Sequence, residues 1–161
     1  MCKNSTILRD IVFPHLPAFK DREIQKFALA NPEAFNVERL VELTLAHVGK
    51  MQFVDAKGYD FLPDYSDSKT VTVNAKSFNA QIGSVENKIG ALRISAYNPV
   101  IDSMAYFFVP KIQVNRIKQP CYGVTEHKER IRFTYSTVYE DSYGYFDDYR
   151  VTSFKQLAEM R

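Results

Sequence analysis

With 161 residues, 45% hydrophobic content and only six glycines, the chain has the size and composition of one ordered domain spanning residues 1–161, which excludes a disordered or fibrous protein. A formal charge of +2 excludes bulk electrostatics as the sole basis for a nucleic-acid partner. Cys2 and Cys121 form neither a disulfide framework nor a metal-ligand spacing, and there is no apolar run of about 18 residues and no signal-peptide pattern. The expectation is a cytoplasmic protein with no membrane segment.

The first fifth reads as helix punctuated by proline. Ser5 to Val12 is one short helix, stopped by Pro14 and Pro17, and Asp21 to Ala30 is a second, ended by Asn31-Pro32. The next helix carries the clearest signal. Asn36 is the N-cap, and Val37, Leu40, Val41, Thr44, Leu45 and Val48 recur at helical spacing. Gly49 sits where a left-handed C-cap is expected, and Glu38, Arg39, Glu42 and His47 lie on the other face.

From Met51 the period changes to two. Strands are expected near 52–61, 69–75, 90–97, 104–112, 130–138 and 148–152, with a closing helix from Ser153 to Met160. Helices, then a run of strands, then a short C-terminal helix describe an α+β domain with a mixed or antiparallel central sheet.

The chemistry concentrates between the first two strands. Asp55, Asp60, Asp64, Asp67 and Lys69 crowd a segment expected to be a hairpin over 53–75, its turn at Leu62 to Ser66. Carboxylates resist being brought together, because like charges repel and each resists losing water. Such a cluster needs open solvent or a cation. Strand alternation puts Asp67, Lys69, Val71 and Val73 on one face, with the valines marking it as buried. With that turn, Asp60 lies nearly opposite Asp67 and Ser68, close enough for two carboxylates to share one divalent cation. The same Leu-Pro-Asp-Tyr-Ser-Asp-Ser segment is also good turn chemistry that requires no catalysis.

Asp60 followed by Asp67-Ser68-Lys69 resembles the PD-(D/E)xK, or restriction-endonuclease-like, nuclease superfamily over roughly residues 36–110. That resemblance implies a DNA endonuclease using Mg²⁺ or Mn²⁺. Asp60, Asp67, Lys69 and Glu42 would be catalytic, the last matching a helix-borne acid, with Glu38 the second choice for that role. The metal would be held by Asp60, Asp67 and Asp64, and a homodimer would supply two sites for two strands. A second alignment takes Pro63-Asp64 with Asn74-Ala75-Lys76. It places the lysine on the opposite face and, at a rise of about 3.3 Å per residue, well over 20 Å away along the strand.

Basic residues outside the cluster are candidates for phosphate contact. Lys88 and Arg93 flank Gly90, which permits close backbone approach, and Lys111 and Arg116 open a basic run reaching Arg132. Tyr135, Tyr139, Tyr143, Tyr145 and Tyr149 offer stacking or a packed interior. Two other readings stand beside the nuclease. One is a non-enzymatic viral or mobile-element protein that binds a protein or nucleic acid through its basic and tyrosine-rich surfaces. The other is a different metal-dependent phosphoesterase.

Overall fold

The computed structural model describes residues 3–15, 36–73, 80–82, 88–117, 125–127, 130–133, 135–137 and 141–161. The helix expected at 21–30 lies outside them. It is an α+β domain, as the order of elements implied.

The N-terminal helical run starts as α1 (Lys3–Ile7), widens to a π-helical turn over Leu8–Val12, and ends as α2 (Phe13–His15). It passes through Pro14, where a stop was expected. The widened turn comes first, with the Phe13 N–H bonding back to the Leu8 carbonyl, so the proline falls in a new short turn. Helix α3 (Val37–Gly49) begins as the sequence indicates, the Asn36 side chain accepting from the Arg39 N–H at 3.2 Å. Its end differs. Lys50, not Gly49, takes the left-handed conformation, at φ 53°. Gly49 is a glycine for another reason: a Cβ there would stand 2.2 Å from the Ala158 carbonyl oxygen.

The single strand expected over 52–61 is itself a hairpin. Strands β1 (Gln52–Ala56) and β2 (Tyr59–Leu62) pair antiparallel, Phe53 beside Phe61, around Lys57 and Gly58, the glycine at φ 90°. Strand β3 (Asp67–Thr72) does not continue that ladder. It runs parallel to β5 (Leu92–Asn98), with β4 (Ala80–Ile82) intervening in sequence. β6 (Ser103–Val109) pairs antiparallel with β5, and helix α4 (Lys111–Ile117) follows Pro110 where the strand was expected to go on. β7 (Thr125–His127) and β8 (Arg130–Phe133) form a three-stranded sheet with β4. A 3₁₀ turn over Gly144–Tyr149 then leads into β9 (Arg150–Val151), a shorter strand than expected, and α5 (Phe154–Glu159). The main sheet has the order β3-β5-β6-β9.

Both faces of that sheet are covered, which is why every residue of β5 is buried. On one side Ile7, Ile11, Val41, Leu45, Phe61, Phe108 and Leu157 join the helices to the sheet. On the other, Val71, Ile94 and Phe107 pack under Val114, Tyr135, Tyr143 and Phe146. Tyr135 and Tyr143 are thus interior side chains, the latter edge-on to Phe107 at 5.0 Å, and not a stacking surface. Among the described residues no helix is long and apolar enough to cross a membrane.

Candidate active site

A short reversal over residues 63–66 connects β2 to β3, and its hydrogen bonds determine where the acids go. The Ser66 carbonyl accepts from the Asp60 and Phe61 N–H groups at 2.9 and 3.1 Å. Asp64 closes the loop, its Oδ1 accepting from the Ser66 N–H at 3.1 Å and the Ser66 hydroxyl at 2.7 Å. Beneath lies Arg93, fully buried. Its guanidinium donates to Asp64 Oδ2 at 2.6 Å, to Ser66 Oγ at 3.0 Å, and to the carbonyls of Leu157 at 2.5 Å and Met160 at 2.7 Å. Its other neighbour is the Phe108 ring, 5.0 Å away.

Two expectations change here. Arg93 does not face solvent and cannot meet a phosphate; it clamps the 63–66 loop to the end of α5. Asp64 is its counter-charge and not a free metal ligand. Burial raises the Asp64 carboxyl, but hydrogen bonds from Ser66 and Arg93 more than offset it and hold the group below the usual carboxylate range. Gly90 does permit a close approach, but to the protein itself, since a Cβ there would fall 2.2 Å from the Tyr65 carbonyl oxygen.

Asp60 and Asp67 do meet. The Ser68 N–H donates to Asp60 Oδ2 at 2.9 Å, and both carboxylates are buried. Burial comes first and the charge of Asp67 second in pushing Asp60 up to about 6, against the Ser68 N–H, which lowers it; a hydrogen bond with Asp67 raises it further. Glu42, on the turn of α3 that faces this pair, is pushed up to about 7 by burial, then by Asp60; Arg39 draws it down. Arg39 Nη1 lies 3.3 Å from Glu42 Oε2 and Nη2 lies 2.8 Å from Asp55. Lys69 Nζ is 3.5 Å and Lys88 Nζ 3.0 Å from Asp67 Oδ2. Neither Asp67 Oδ2 nor Glu42 Oε2 receives a well-aligned hydrogen bond, although both are buried.

The structure therefore brings together Glu42, Asp60, Asp67 and Lys69 at the start of β3, and it adds Lys88. That residue was expected at an outer phosphate, but it is buried against Asp67. Pairing β3 parallel to β5 explains this, because the segment entering β5 arrives at the same end of the sheet as Asp67. Lys111 and Arg116 are exposed on α4, and neither joins the cluster. Asn74 and Lys76 lie outside the described residues, but the alignment that used them also needs Asp64, which Arg93 and Ser66 occupy.

The donor set is all oxygen, which suits a hard cation such as Mg²⁺ or Mn²⁺ better than zinc. Two buried carboxylate oxygens without aligned donors are what such an ion would complete. Among the described residues, no three His, Cys, Asp or Glu side chains already stand grouped as a ligand trio. No family model matches the chain, and no curated protein matches it.

Proposed function

We propose that the protein is a metal-dependent DNA endonuclease of the restriction-endonuclease-like type, hydrolysing phosphodiesters at the Glu42–Asp60–Asp67–Lys69 cluster. One observation carries the reading: three carboxyl groups of low solvation are held beside a lysine, with two of their oxygens short of donors. A fold whose neighbouring loop satisfies Asp64 completely has no structural need for that arrangement.

Asp60 and Asp67 would hold Mg²⁺ or Mn²⁺, with Glu42 as a further oxygen ligand. When bound, the ion supplies a Lewis acid for the phosphoryl oxygen and lowers the pKa of its water. Lys69 keeps enough exposure to reach substrate while its ammonium stays at Asp67, so it orients the attacking water and offsets charge developing on the phosphate. A homodimer would present one such site to each strand, and the enzyme would act in the cytoplasm.

The test is cleavage of plasmid, linear duplex and single-stranded DNA with Mg²⁺ or Mn²⁺. Wild type should cut, and chelation should stop it. Lys69→Ala should bind DNA as before and cut about 10²–10³-fold more slowly. Asp67→Ala should abolish both cleavage and the rise in melting temperature on adding metal. If no substrate is cut with any metal, or Lys69→Ala cuts at the wild-type rate, the assignment fails. The binding-protein reading then leads, and the exposed Lys111, Ile112 and Arg116 of α4 would be its first surface to probe.

A further inference from the structure

Asp67 is flanked by two ammonium groups that differ in kind. Lys69 is about a third exposed (32%), whereas the Lys88 side chain is only 7% exposed and lies closer, 3.0 Å against 3.5 Å. Lysine is rarely buried unless paired. The segment that carries Lys88 is fixed by the parallel pairing of Leu92 with Asp67 and by the contact of Gly90 with the Tyr65 backbone. Lys88 is thereby held over Asp67 by the fold and does not reach it from solvent. Yet Asp67 Oδ2 receives no well-aligned hydrogen bond, so what compensates it is charge and not directional bonding. On the side of Asp67 Oδ2, such compensation can be exchanged for another cation without losing an aligned hydrogen bond to that oxygen.

We propose that Lys88 is the resident counter-ion of the acid cluster, occupying at Asp67 Oδ2 the place a divalent cation would take, so that metal binding displaces its ammonium. This rests on the metal-dependent reading of the site. It gives Lys88 a positioning role distinct from that of Lys69. In the absence of metal Lys88 keeps the acids together, and it sets the threshold concentration at which metal enters.

The experiment is calorimetric titration of Mn²⁺ into the metal-stripped full chain at pH 8, for wild type, Lys88→Met and Lys69→Met. Lys88→Met should bind Mn²⁺ about tenfold or more tightly than wild type, the effect of removing one competing charge. Its melting temperature in chelator should fall below that of wild type and rise further on adding Mn²⁺. Lys69→Met should show the smaller gain. A lysine that served only to stabilise the fold would lower the melting point without raising the affinity.

If wild type binds Mn²⁺ and Lys88→Met binds it no more tightly, the counter-ion role is overturned and the metal reading stands. Absence of binding by any form overturns both. Should Lys88→Met fail to fold, ¹⁵N-resolved lysine ammonium signals of the wild type give the answer. The Lys88 signal, assigned with Lys88→Arg, should be protected from exchange without metal and should shift or disappear at saturating Mg²⁺. An unchanged signal overturns the proposal.

Discussion

Asp64 and Asp67 stand three residues apart on one connection, each beside a buried cation, and they are treated in opposite ways. Asp64 receives hydrogen bonds on both oxygens, from Ser66 and Arg93, and its carboxyl is held low. Asp67 Oδ2 has the nearness of two ammonium groups for compensation and no aligned hydrogen bond, while the neighbours Asp60 and Glu42 are pushed up. The first arrangement is complete and serves the fold. The second is electrostatically incomplete and survives because the first holds it in place. Unsatisfied buried groups of this kind mark functional positions more reliably than acidic composition does.

The contrast is broken most forcefully at Arg93. Arg93→Met leaves Asp64 and the carbonyls of Leu157 and Met160 without their donor. It should cost about 3–5 kcal/mol in a urea-unfolding measurement, the usual penalty for stripping one partner from a buried pair. A loss no larger than that of a surface substitution would show that the clamp is not what holds the loop. Asp64→Asn comes next, at about 2 kcal/mol, since a charged acceptor is lost while Ser66 can still donate to the amide oxygen. Glu42→Gln, its counterpart in the incomplete cluster, should leave stability at pH 8 unchanged or improved. If Glu42→Gln is instead the more damaging of the two, the comparison is wrong.

The pH dependence sharpens the same point. Glu42, raised from 4.5 to about 7, favours the folded state when protonated; that contribution is fully present below pH 4.5 and is lost as the pH rises through 7. The melting temperature of metal-free wild type should therefore match that of Glu42→Gln in acid and fall below it across pH 4.5–7. Asp60 adds a loss over 3.8 to about 6 that both proteins share. Asp64 works in the other direction, its stabilisation lost as the pH falls below the ordinary carboxylate range. The smallest effect is that of Arg39→Ala. Removing the guanidinium at 3.3 Å should shift Glu42 titration further upward by NMR, with little change in melting temperature.

Helix α3 was legible from sequence because its information is local: an asparagine cap, then apolar residues at three- and four-residue intervals. The meeting of Asp60 with Asp67 was legible too, but through a different geometry. A regular ladder was expected; a hairpin at Lys57–Gly58 and a separate reversal at 63–66 deliver it instead, Gly58 being the turn signal that a single strand over 52–61 passed over. The partner of β3 was not legible, since period-two alternation reports which face a residue occupies and not which strand lies beside it. The roles of Lys88 and Arg93 were hidden for the same reason. A basic residue counts as exposed until its buried partners are known, and those partners are distant in sequence.

Arg93 bonds a carbonyl 67 positions further along the chain. A ribosome adds about 5–20 residues per second, so elongation from one to the other takes on the order of 3–13 s. Throughout that interval a nascent polypeptide already carries Glu42, Asp60, Asp67, Lys69 and Lys88, but the loop that aligns them lacks its anchor. The residues that crowd the cluster are therefore all synthesised well before the C-terminal carbonyls that tie Arg93 down, and the loop gains its last anchor only once translation has passed Met160.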